Sequence, residues 1–91
     1  MKMIINNCYG GFDIRREILD KFKLNMYSEG DDVIRSNPQL IKMIEAGEDI
    51  SAASAELKVV EIPDESTDWY LDEDDGWESV IYVLNGKLHW A

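Results

Sequence analysis

A chain of 91 residues suits one domain with a single modest core, and a formal net charge of -10 sets the limits on what that domain can bind. So acidic a surface repels the nucleic-acid backbone and gains nothing from counterion release, which excludes direct nucleic-acid binding. No apolar run approaches the roughly twenty residues of a membrane-spanning helix, the N-terminus lacks the layout of a signal peptide, and the one cysteine, Cys8, rules out an internal disulfide; a cytoplasmic protein without membrane contact is expected.

Lys2-Met3-Ile4-Ile5 is a short apolar run with β-branched residues and predicts a buried opening strand, ended by Asn6 and Asn7. Gly10 and Gly11 can take positive φ and bring bare backbone close to another group. Asp13 then reads as the N-cap of a first helix from Ile14 to about Lys23, with Ile14, Ile18, Leu19 and Phe22 on its apolar face and Glu17 and Lys21 as an outer i,i+4 pair. In a strand, glycine turn and helix unit, amides at the carboxyl end of the strand can hold an anion. The helix terminus contributes about 0.3 to 1 kcal/mol to such binding, so Arg15 and Arg16 are needed to capture the anion. The candidate ligand-binding set is Asn7, Cys8, Tyr9, Gly10, Gly11, Phe12, Arg15 and Arg16, with a small nucleotide as the ligand. Asp13 places a carboxylate where the anion would sit, and the loop is neither a Walker sequence nor a dinucleotide fingerprint. The alternative is a tight turn that packs Tyr9 and Phe12 into the core.

Leu24 to Asp32 reads as a connection pinned by Met26 and Tyr27. Ser36 or Asn37 caps a second helix with Pro38 at its first position, Leu40, Ile41 and Ile44 on its buried face, and Gly47 as its stop. Glu48 to Ser54 suits a loop, and Leu57 to Ile62 a strand ended by Pro63. Asp75-Gly76 and Asn85-Gly86 are hairpin dipeptides, so the last third reads as a β-meander with strands near Asp68 to Glu73, Trp77 to Leu84 and Lys87 to Trp90. A short helix from Glu78 to Leu84 competes with the middle strand. Residues 1-91 thus form a single α+β domain, a mixed sheet with two helices on one face. A strand at Leu57 parallel to the first would call for a right-handed crossover.

Residues 1 to 45 carry seven basic and seven acidic side chains, whereas residues 46 to 91 carry two and twelve. No positive side chain lies between Lys58 and Lys87. Such a run is commonly a solvated face. The sharper reading is a phosphate-mimicking surface for a basic groove, through Asp64, Glu65, Asp68, Asp72, Glu73, Asp74, Asp75 and Glu78, and it requires carboxylates on alternate strand positions of one face. The tract lacks the ligand pattern of an EF-hand loop and its spacing selects no acid and base pair, so no metal, cofactor or catalytic residue is assigned. Cys8 with His89, the one histidine, allows a single cysteine-histidine pair, against the commoner role of a free cysteine as a small buried hydrophobe. Trp69, Tyr70, Trp77, Tyr82 and Trp90 are core or sheet-face packing, or in part a stacking platform for a base.

Ile4-Ile5-Asn6-Asn7-Cys8-Tyr9-Gly10-Gly11-Phe12 resembles the opening of a family of small phage and prophage proteins, and Leu57 to Asp64 and Asp75 to Glu78 resemble its second and third blocks. That family commonly continues Gly-Leu-Ser where this chain has Asp13, Ile14 and Arg15. The resemblance implies a phage setting, hence the host cytoplasm, without an established activity. Three functions follow as expectations. The first is a protein that counteracts host defence by sequestering a nucleotide signal at the glycine loop. The second is an acidic protein that inhibits a host defence or nucleic-acid-binding protein through residues 61-78, and an enzyme that cleaves such a nucleotide ranks third. A homo-oligomer is compatible with all three.

Overall fold

The computed structural model describes residues 1-25 and 31-91. Five strands and three helices run β1 (Lys2–Asn6), α1 (Arg16–Lys21), α2 (Asp31–Arg35), α3 (Pro38–Glu45), β2 (Leu57–Glu61), β3 (Asp68–Asp74), β4 (Trp77–Leu84) and β5 (Lys87–Trp90). The α+β architecture is the one expected from the sequence. Its strands, however, form two antiparallel sheets, β1-β2 and β3-β4-β5, in place of one mixed sheet.

The reason lies in β1. Ile4 packs with Ile14, Ile34, Leu40, Ile41 and Ile50 of the helical half, while Met3 and Ile5 pack with Ile62 and Val80 on the other side. A strand that is apolar on both faces must be covered on both. The meander therefore stacks on the second face of β1, where it buries Met3 and Ile5, and does not extend its edge. Three layers result: helices, the β1-β2 ribbon, and the three-stranded sheet. β2 runs antiparallel to β1, pairing Lys2 with Glu61 and Asn6 with Leu57, so the crossover rule for parallel strands does not apply.

The second predicted helix is α3, with Asn37 as N-cap accepting from the amides of Gln39 and Leu40, Pro38 at its start and Gly47 at φ 88° just past its end. Both hairpin turns carry positive φ at each central residue, 50° and 88° at Asp75-Gly76 and 53° and 75° at Asn85-Gly86, so Glu78 to Leu84 is strand.

Three expectations are corrected. The first helix starts at Arg16, because the preceding backbone is held extended by Ile50–Ala52: Arg15 N–H donates to the Ile50 carbonyl and Ala52 N–H to the Asp13 carbonyl. Asp13 accordingly bonds the Ile14 amide and caps no helix. A further helix, α2, occupies Asp31–Arg35, partly within the expected connection. Met26 and Tyr27 lie outside the described residues.

Candidate functional site

The glycine loop is met by its own chain at Gly10 and along the Gly11 backbone, while the space a Gly11 side chain would enter is open. A Cβ on Gly76 would lie 2.6 Å from the Gly11 nitrogen and 3.0 Å from the Tyr9 carbonyl, so the β3-β4 turn rests directly on the loop backbone. From the other side Ser54 meets Gly10, where an added Cβ would overlap both the Ser54 carbonyl and its hydroxyl. Ser54 Oγ donates to the Gly10 carbonyl at 3.1 Å. Close backbone approach is thus what these glycines provide, and the groups approached are protein.

Asn6 and Arg35 organise these contacts. The buried Asn6 amide donates to the Cys8 and Gly76 carbonyls at 2.9 and 2.8 Å, and its Oδ1 accepts from the Glu56 amide at 2.8 Å. Its backbone N–H donates to Glu78 Oε1 at 2.8 Å. Arg35 spans from α2 to Glu78 in a two-pronged pair, 2.7 Å on each prong, and also donates to the Ile4 carbonyl at 3.1 Å. Phe12 lies under the guanidinium at 3.9 Å. Both charged partners are buried, so desolvation is offset by the paired geometry together with the added backbone bonds.

Glu78 is therefore not on the acidic surface expected of it. Period-2 alternation contained the signal: Glu78 shares a strand face with Val80 and Tyr82, which pack on Met3 and Ile5. Nothing in the sequence marks Arg35 as its partner across 43 residues, or Asn6 as the hub.

The remaining predicted ligand residues do not converge on an anion cradle. Asn7 continues the β1-β2 ladder by donating to the Glu56 carbonyl at 2.8 Å. Arg15 is held on the loop that follows α3, donating to the Ser51 carbonyl at 3.1 Å and to Asp49 at 3.4 Å, and Arg16 pairs with Asp20 at 3.9 Å. The Ser51 amide and hydroxyl, then Arg15, hold the Asp49 carboxyl below its usual range. A lowered carboxylate pKa contributes stability above the unfolded value and loses it as pH falls through the folded one, so this anchor is intact at neutral pH. Arg15→Ala and Arg16→Ala should leave Tm within about 4 °C of wild type in a thermal melt, as expected of exposed side chains. A groove of about 310 Å³ beside this loop is rimmed by Glu48, Asp49 and Glu56, a poor setting for phosphate.

Among the described residues the cysteine-histidine pair is not assembled. Cys8 Sγ donates to the Ser54 carbonyl at 3.0 Å and accepts from the Gly10 amide at 3.3 Å, whereas His89 stacks on Tyr82 with ring centroids 5.2 Å apart. Among the same residues no group of three or more His, Cys, Asp or Glu side chains is placed to hold a metal ion.

The three-stranded sheet has a different character. Its inner face sends Trp69, Leu71, Val80 and Tyr82 to the core with Met3 and Ile5. Its outer face carries Asp68, Tyr70, Asp72 and Asp74 on alternate positions of β3, opposite Val83, Ile81, Ser79 and Trp77 of β4, and continues through Leu88 and Trp90 of β5. The three aspartates are exposed, as are Glu65, Glu73 and Asp75, while Asp64 is engaged by the amino group of Met1 at 2.7 Å. Tyr9, exposed and not in the core, packs edge-on against Trp77 at 4.9 Å and adds a corner to this face.

No family model, curated protein or solved structure matches the chain. Among the described residues no helix is long and apolar enough to cross a membrane.

Proposed function

We propose that the chain is an acidic protein-interaction module that works through the outer face of the β3-β4-β5 sheet. One observation carries this reading: Asp68, Asp72 and Asp74 stand on alternate positions of an edge strand, on one exposed face. Strand rise sets Asp72 and Asp74 about 6.7 Å apart and Asp68 and Asp72 about twice that, a row of fixed negative charge that a basic groove on a nucleic-acid-binding protein can take in place of phosphates. Nucleotide sequestration at the glycine loop lacks a comparable support, since Ser54 fills the space beside Gly10 and Gly76 rests on the Gly11 backbone. The phage setting and the host target are carried by the three resembling sequence blocks alone.

The reading is tested by displacement. Host proteins are retained on DNA-cellulose at low salt and challenged with the wild-type chain or with a variant bearing Asp68→Asn, Asp72→Asn and Asp74→Asn. Wild type should release a specific protein and the variant should not, with release suppressed as salt rises. Equal release by both would place the activity elsewhere on the molecule.

A further inference from the structure

The same sheet face holds more apolar surface than a purely electrostatic mimic needs. Tyr70, Trp77, Leu88 and Trp90 are 47%, 42%, 52% and 62% exposed. Tyr70 and Trp90 flank Ile81 in the register, one on each neighbouring strand, and Ile81 is only 7% exposed between them. The result is an apolar centre of aromatic side chains with aspartates along one margin. Trp and Tyr in such a centre are the residue types that dominate binding energy in protein interfaces.

Charge decides the occupant. Among the described residues, the strand positions sharing this face with Asp68 and Trp90 include no cation. A second copy would set aspartate rows and a net charge of -10 against their like. A partner with an apolar stripe beside a row of Lys or Arg would satisfy both parts at once. Three strands set about 10 Å between the outer strand axes, which matches one α-helix of about 10 to 12 Å diameter. We infer that the outer face of the β3-β4-β5 sheet docks a basic amphipathic helix of a partner protein, its apolar stripe on Tyr70, Leu88 and Trp90 and its cations over Asp68, Asp72 and Asp74. This rests on the interaction reading above and names the chemistry of the partner. It also sets the division of labour: the aspartates set encounter and orientation, and the aromatic residues hold the complex.

Two synthetic peptides of equal length and charge separate the possibilities, one with Leu and Lys at helical spacing and one with Ser in place of Leu. The full chain should bind the amphipathic peptide at least about tenfold more tightly than the purely cationic one, with a blue shift of Trp fluorescence. Tyr70→Ala or Trp90→Ala should weaken the amphipathic peptide by about tenfold or more, and Glu48→Gln with Glu56→Gln, in the groove beside α3, should leave it unchanged. Circular dichroism confirms the fold of each variant. Equal binding of the two peptides, unaffected by Tyr70→Ala and Trp90→Ala, would overturn this inference while the acidic reading stands. Failure of both peptides to bind would remove the two together. Sedimentation showing a dimer that Trp90→Ala dissociates would make a second copy the occupant and overturn the assignment.

Discussion

Glu78→Ala should lower the free energy of unfolding by about 3 to 5 kcal/mol, because it leaves the Arg35 guanidinium buried without its counter-ion. It removes both prongs of the Arg35 pair and the acceptor of the Asn6 backbone N–H in one step. The loss falls where α2, β1 and β4 meet, so no single layer can absorb it. At roughly 4 to 8 °C per kcal/mol for a domain of this size, Tm should drop by about 12 °C or more. Arg35→Met combined with Glu78→Leu should recover much of the loss, since apolar residues of similar volume commonly replace a buried ion pair at little cost. Urea titration of the two variants beside wild type checks both statements. A change below about 1 kcal/mol for Glu78→Ala would mean that apolar packing of Met3, Ile5 and Val80 holds the layers without the ion pair.

The elements that the sequence announces are those whose signals are local. Pro38 after Asn37, Gly47 after the apolar stripe of α3, and the Asp-Gly and Asn-Gly turns each act within a few residues, and each element stands where it was expected. What stayed hidden depends on partners far along the chain. The apolar run of β1 shows that it is buried, but not that Ile4 belongs to the helices and Met3 and Ile5 to the meander. The start of α1 is set by backbone bonds to Ile50–Ala52, against which the capping preference of Asp13 is small. The glycine loop was legible as a place of close backbone approach. Which groups make that approach is a matter of tertiary structure: Ser54 meets Gly10 and Gly76 meets the Gly11 backbone, and neither contact is written in the local sequence. Likewise the acid-rich tract is visible as composition, while its division into the outward Asp68, Asp72 and Asp74 and the buried Glu78 follows from register.

Three glycine variants distinguish packing from openness at the loop. Gly11→Ala meets nothing within 4 Å but must hold φ 83°, so it should cost about 1 to 2 kcal/mol from backbone strain alone. Gly10→Ala has no positive φ to maintain but drives a methyl group into Ser54, and overpacking of this kind costs about 1 to 3 kcal/mol. Gly76→Ala suffers both, at φ 88° and 2.6 Å from the Gly11 nitrogen, and should be the most destabilising, by roughly 2 to 5 kcal/mol. Ser54→Gly removes the hydroxyl beside Gly10 and should relieve part of the Gly10→Ala loss, a coupling that a double-mutant cycle in urea measures directly. An open cradle kept clear for a ligand would behave differently: Gly10→Ala would leave stability unchanged, and Ser54→Gly would not couple to it. Because Tyr9 follows Cys8 into this loop and leans on Trp77, Gly76→Ala should also disturb the aromatic corner of the outer sheet face. Stability and peptide binding should therefore fall together in Gly76→Ala, whereas Trp90→Ala loses binding and keeps its fold.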